Sequence, residues 1–282
     1  MKSRNKNYNL EWLLDQAGNE SSRQWLMKID EWRRHVFEKN DFIGGDGMFS
    51  IQLGKHTLWF RPSSAYSSIE IYTEIFKNNN HFLHPEFTGE NANVVVDIGG
   101  NQGFYALKIS TQNPQCKVIS CEPNPYVFEI MNKNVQANNL FNVLVNNAAV
   151  ASSKGFLELE IIKEVDGVGG KRIERASRPW LKESFIENIT VESTTLEQLL
   201  KEHHISKVDI LKIDVEGMEM EILSSCNDIL PDISKIVVEC HSEKLRRDIV
   251  GLLANNGLRL VYEEEVSPGQ LYKDLYFINK NH

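Results

Sequence analysis

A chain of 282 residues with 41% hydrophobic content holds enough apolar side chain for one large α/β domain, or for such a domain with an N-terminal extension. Its formal net charge of -8 argues against a general nucleic-acid binder, whose phosphate contacts need a clustered basic surface. No run of about 18 uninterrupted apolar residues occurs, and the polar N-terminus leads into no long apolar stretch, so neither a membrane span nor a signal peptide is expected. Cys116, Cys121, Cys226 and Cys240 show no C-x-x-C spacing, and two of them sit in apolar strand-like runs; buried free thiols in a reducing cytoplasm are expected, not disulfides or zinc.

In chain order, Leu10, Leu13, Leu14, Trp25, Leu26, Ile29, Trp32, Val36 and Phe37 recur at mostly helical spacing, broken near Gly18 to Ser22, which predicts two amphipathic helices. The aromatic stripe of Trp25, Trp32 and Phe37 reads as packing before it reads as a substrate cover. Phe49 to Leu53 and His56 to Phe60 flank Gly54-Lys55, a β-hairpin pattern. Ser68 to Phe76 reads as a helix and Pro85 to Asn93 as a loop. A helical and β-hairpin extension is therefore expected over residues 1–90, and a cofactor-binding domain over residues 91–282.

The segment Val94-Val95-Val96-Asp97-Ile98-Gly99-Gly100-Asn101-Gln102-Gly103 carries a β-branched strand to an acid and then into a glycine-rich turn before an apolar helix. Gly99 lets the chain reverse with no Cβ in the way, Gly103 lets the helix lie close to a ligand or strand, and free backbone N–H groups line the floor. The spacing is D-x-G-x-x-x-G, with Ile98 where the G-x-G-x-x-G dinucleotide fingerprint has its first glycine. Lys117 to Cys121 reads as the next strand, and Glu122 ends it 19 residues beyond Gly103, where a carboxylate accepts from both ribose hydroxyls. An acid ahead of the turn suits the cationic amino-acid end of S-adenosylmethionine (SAM) and repels the pyrophosphate of NAD. Asp97, Gly99, Asn101, Gly103 and Glu122 are the cofactor-binding candidates. Val143 to Val145 reads as a third strand, and Asn147 beyond it is a candidate for adenine's edge, although asparagine equally favours turns.

Val127 to Asn138 reads as a helix and Phe156 to Ile161 as a half-exposed strand. Asp166 to Arg172 lacks Walker spacing and reads as a flexible connection, with a mobile loop over the substrate as the other reading. Ile189 to Val191 is a strand, and Thr194 or Thr195 caps a helix through Leu196, Leu199 and Leu200. Val208 to Ile213 ends at Asp214, and Glu216 to Leu223 reads as a helix whose acidic first turn suits its dipole. Ile236 to His241 is a further buried strand, with Glu239 and His241 at its end. Strand ends in an open α/β sheet line one crevice, so Asp97, Glu122, Asp214, Glu239 and His241 are expected to converge.

Three runs in this order, Asp97 to Tyr105, Cys121 to Pro125 and Leu211 to Glu219, resemble the FkbM family of SAM-dependent methyltransferases, over about residues 50 to 280. The run Leu211-Lys212-Ile213-Asp214-Val215-Glu216-Gly217-Met218-Glu219 is the most specific, and Gly100 stands where such families often have alanine. The resemblance implies SAM as cofactor and an α/β fold. That fold is a Rossmann-like doubly wound sheet of the class I methyltransferase type, mostly parallel with an antiparallel C-terminal edge hairpin. It leaves the acceptor open, because members methylate varied hydroxyl-bearing molecules.

Methyl transfer to oxygen calls for alignment and a general base. His241, with an ordinary pKa of about 6.5, is the candidate base, and Asp214 and Glu239 orient it or bind substrate. A histidine bonded structurally at a strand end is its other reading. No metal is expected; a divalent cation on Asp214, Glu239 and His241 is the less favoured way to activate the hydroxyl. The expected function is O-methylation of a small molecule such as a sugar or polyketide-like metabolite. An NAD-dependent oxidoreductase and a noncatalytic partner-binding protein of the same fold stand beside it.

Overall fold

The computed structural model describes residues 8–39, 47–162, 169–170, 183–264 and 273–280. Helix α1 (Leu10–Gln16) is capped by Asn9, whose side chain accepts from the Trp12 N–H at 2.8 Å, and α2 (Glu20–Lys39) follows. Both lie against an antiparallel hairpin, β1 (Phe49–Leu53) and β2 (His56–Phe60), turned through Gly54 at φ +55°. Trp25 stacks on Phe49 with centroids 3.9 Å apart and Trp32 meets the same ring edge-on, so these aromatics are packing. The Phe37 side chain lies outside the described residues. Helix α3 (Ala65–Phe76) begins three residues ahead of its predicted start, because Ser64 supplies the carbonyl that receives the Ser68 N–H.

The main sheet then builds by alternation: β3 (Val94–Ile98), α4 (Phe104–Gln112), β4 (Lys117–Cys121), α5 (Pro125–Ala137) and β5 (Val143–Asn146). Short β6 (Ala149–Val150) leads to β7 (Gly155–Ile162), β8 (Gly169–Gly170) and β9 (Ile186–Thr194). The chain returns through α6 (Leu196–Glu202), β10 (Val208–Ile213), α7 (Glu219–Ser225), β11 (Ile233–Cys240), α8 (Glu243–Asn255), β12 (Leu258–Glu263) and β13 (Lys273–Asn279). Seven strands lie in the order β12-β13-β11-β10-β3-β4-β5, with β11 to β5 parallel and β13 and β12 antiparallel at the C-terminal edge. This is the doubly wound α/β sheet with an edge hairpin that the resemblance implies.

Strand periodicity explains why the central strands are apolar throughout. Val95, Val118, Ile210 and Val237 point into one buried cluster, and their neighbours Val96, Ile119, Leu211 and Val238 into another on the opposite face. The first cluster also takes in Leu26, Ile51, Phe60 and Ile69 of the N-terminal segment, so residues before position 90 share a core with the sheet. Asn134 and Asn138 of α5 reinforce that contact by accepting the Trp59 and Thr57 N–H groups.

Two features differ from expectation. Strands β6, β9, β7 and β8 form a separate four-stranded sheet, whose long β7–β9 pairing extends the predicted Ile189 to Val191 strand to nine residues. The helix expected from Glu216 starts only at Glu219, because Glu216 at φ +52° and Gly217 at φ +107° make a left-handed turn that no α-helix accommodates. Of the Asp166 to Arg172 segment, only Gly169 and Gly170 fall within the described residues.

Candidate active site at the switch point of the sheet

From β3 the sheet grows one way through β4 and the other way through β10, which leaves a crevice beyond the strand ends at this reversal. A cleft of about 750 Å³, open to solvent, lies there, and Gly99, Asn101, Glu122, Asp214 and Glu216 are on its wall. Gly99 adopts φ +81°, and a Cβ on it would fall 1.7 Å from the Asp214 carbonyl oxygen, so the turn presses directly on the backbone leaving β10.

Glu122 ties the turn to the exit of β4. Its Oε2 accepts the Asn101 N–H at 2.9 Å and its Oε1 the Asn124 N–H at 2.8 Å, which leaves each oxygen a second lone pair. Burial pushes its carboxyl up to about 7, against the pull of those two N–H donors. Gly103 also has φ +81° and starts α4, with Met131 behind it, rather than lining the cleft.

Two further expected cofactor contacts are placed elsewhere. Asp97 is wholly buried beneath the turn, because strand register sets it between Ser120 and Lys212: Ser120 Oγ donates to its Oδ2 at 2.7 Å and Lys212 Nζ lies 3.2 Å from its Oδ1. It supports the floor from below the cleft wall. Asn147 spends its amide N–H groups on the carbonyls of Glu122 and Pro123 and is not on the cleft wall.

At the far end, Asp214, Glu239 and His241 do converge, each offering one atom within 4.8 Å of the others. Sequence reasoning passed over four neighbours. Lys212 Nζ, 3% exposed, donates to the Gly99 carbonyl at 2.7 Å and lies 3.5 Å from Asp214 Oδ2. His81 sits 2.9 Å from Asp274 through Nδ1 and 3.8 Å from Asp214 through Nε2, and Glu219 lies 3.2 Å from His241 Nδ1. A charge inside an apolar strand was the one signal for Lys212 and Asp274; nothing local marks His81.

These neighbours weigh against a neutral His241 acting as the base. Burial opposes its charge, but Glu219 and Glu239 at its two nitrogens outweigh burial and, with the site empty, hold the ring up at about 12. Burial likewise opposes the charge on His81, and Asp274 holds that ring up at about 9. Asp214 is kept below its ordinary range: burial works the other way, but Lys212, His81 and His241 overcome it.

A glycine turn at a sheet's switch point, with a buried carboxylate one strand away, is the arrangement of a nucleoside-cofactor domain. Comparison with known proteins narrows the class. The family model described as the methyltransferase FkbM domain matches residues 97–260. Methyltransferase sdnD of Sordaria araneosa is 30% identical over 112 residues, covering 36% of this chain and 40% of that protein. Methyltransferase 1 of Beauveria bassiana is 25% identical over 111 residues, covering 39% and 43%. The aligned part is thus less than half the length of either relative. An FkbM methyltransferase structure from Methylobacillus flagellatus superposes with a TM-score of 0.49 at 11% identity, covering 95% of this chain and 57% of that one. The chain belongs to the FkbM methyltransferase family, a class whose cofactor is SAM.

Proposed function

We propose that this protein is a SAM-dependent methyltransferase that methylates a hydroxyl oxygen of a small molecule such as a sugar or a polyketide-like metabolite. The observation that carries the reading is a pair of carboxylates, Glu122 and Asp214, flanking the Gly99 turn on one cleft wall. The residues suit SAM. Glu122 keeps a lone pair on each oxygen for the ribose hydroxyls, and Val127, Leu159 and Ile161 give the cleft an apolar wall for a purine. Asp214 and Glu216 favour a cationic group and repel the pyrophosphate of NAD, which weakens the oxidoreductase reading.

When bound, SAM supplies an electrophilic methyl group on a sulfonium leaving group. The chain's part is positioning: Glu122 fixes the ribose, Asp214 on the cleft wall accepts the acceptor hydroxyl's hydrogen bond and receives its proton as the methyl arrives, and Glu239 beside Asp214 supports it. Four buried free cysteines suit a reducing compartment such as the cytoplasm, and among the described residues no helix is long and apolar enough to cross a membrane.

Titration of the purified protein with SAM, S-adenosylhomocysteine and NAD tests the cofactor, and methyl transfer to candidate hydroxyl acceptors separates an enzyme from a binding protein. Glu122→Ala is expected to remove charge-assisted bonds of about 1.5 to 3 kcal/mol each and weaken SAM at least tenfold by calorimetry; unchanged affinity defeats the ribose assignment. The same carboxyl sets a pH dependence. The raised pKa means that ionisation of Glu122 lowers fold stability as pH climbs from its ordinary 4.5 to about 7, whereas ribose binding favours the ionised form. SAM affinity should therefore rise with pH through about 7, and Glu122→Gln should flatten that rise. Glu239→Gln is expected to lower turnover about a hundredfold with SAM affinity nearly intact, and full turnover would remove Glu239 from the reaction.

A further inference from the structure

We infer that Asp214, Glu239 and His241 form a binding site for one divalent cation of the manganese or magnesium class, against the sequence expectation of no metal. Parallel strands β10 and β11 pair Ile213 with Val238, so the residues that follow, Asp214 and Glu239, leave the sheet side by side and His241 joins them two positions on. One ligand atom from each lies within 4.8 Å of the others, and a small closure of these side chains sets all three at about 2.1 Å from a single ion. Two carboxylates and one imidazole are a donor set that manganese accepts readily.

The surroundings point the same way independently. Glu219 is wholly buried, and its Oε1 takes the Gly217 N–H at 3.0 Å and lies 3.2 Å from His241 Nδ1. Its Oε2 has no hydrogen-bond partner among the described residues. A carboxylate beside one ring nitrogen is the usual companion of a metal-ligating histidine, and on the other side of the ring His241 Nε2 lies 3.0 Å from Glu239 Oε2.

Carboxylates outnumber cations here: Asp214, Glu216, Glu219 and Glu239 gather around His241, and Lys212 and His81, which lie 3.5 and 3.8 Å from Asp214, are also paired with buried Asp97 and Asp274. The metal site rests on this geometry alone. Its open side is the cleft, where Asp214 is 27% exposed; on the methyltransferase reading, coordination positions there take an acceptor through two adjacent oxygens, as in a vicinal diol or a hydroxycarbonyl.

The test is manganese titration of the full chain, stripped with a chelator and without SAM, followed by loss of the free-ion electron paramagnetic resonance signal. One saturable site is expected, with nitrogen coupling from an imidazole in the pulsed spectrum of the bound ion. Glu239→Gln and His241→Gln should each weaken it tenfold or more. No saturable site, or a bound ion without nitrogen coupling in the wild-type protein, overturns the inference whether or not the variants fold. Unchanged affinity in variants that melt like the wild type does the same. A parallel SAM titration keeps the two readings apart: manganese bound without SAM sinks the methyltransferase reading alone, and SAM bound without manganese sinks the cation site alone.

Discussion

Gly99→Ala is expected to abolish measurable SAM binding, with a loss of a hundredfold or more by calorimetry, although it adds one methyl group. The added Cβ would lie 1.7 Å from the Asp214 carbonyl oxygen and 2.8 Å from its carbon, and both are backbone atoms that no rotamer change can move. The residue also sits at φ +81°, where a side chain costs about 1 to 2 kcal/mol before any clash. Relief requires β3 and β10 to separate at their ends, which breaks the 3.0 Å bond from the Asp214 N–H to the Ile98 carbonyl and shifts Asp214 in the cleft. Gly100→Ala provides the contrast: its Cβ would meet Ser120 Oγ at 2.1 Å and Met131 Cε at 2.7 Å, both ends of side chains that can turn away. Calorimetry on the two variants should show the larger loss at Gly99. Normal SAM affinity in Gly99→Ala would mean that the turn does not form the cleft floor.

The parts of the site that follow from local pattern were legible in the sequence, and the parts that follow from register were not. A β-branched run ending in glycine places the turn, and the rule that strand ends share one crevice brings Asp214, Glu239 and His241 together from separate strands. What those groups do depends on their neighbours. His241 has an ordinary pKa in isolation, but Glu219 enters from the start of α7, whose position was itself displaced by the left-handed turn at Glu216 and Gly217. His81 and Asp274 are 193 residues apart and meet because the edge hairpin runs antiparallel beside β11; no spacing rule couples them. Asp97 was recognised as an acid before a glycine turn, yet only the pairing of Lys212 with Asp97 and of Asp97 with Ser120 shows the partners it meets beneath the floor. The separate sheet of β6 to β9 escaped for the same reason, since its strands were legible singly and their pairing was not.

Lys212→Met should destabilise the fold by about 3 to 5 kcal/mol, because it leaves a buried carboxylate without its counter-charge. Methionine keeps the length and apolar stem of lysine, so the change is close to a deletion of the ammonium alone. Asp97 has no exposure to water and would retain only the Ser120 hydroxyl, and Asp214 would lose the cation 3.5 Å from its Oδ2. The Gly99 carbonyl would lose its 2.7 Å donor as well, so SAM affinity should fall together with stability. Lys212→Arg does not repair this, since a planar guanidinium needs a wider slot than one 3% exposed lysine occupies between two strands. The decisive comparison is the double variant Asp97→Asn/Lys212→Met in urea unfolding. Removing both charges should recover a good part of the lost stability relative to Lys212→Met alone, because the penalty belongs to the unpaired ion and not to the missing contact. A Lys212→Met protein within about 1 kcal/mol of the wild type, or a double variant no more stable than the single one, would show that the Lys212–Asp97 pair does not hold up the floor of the cleft.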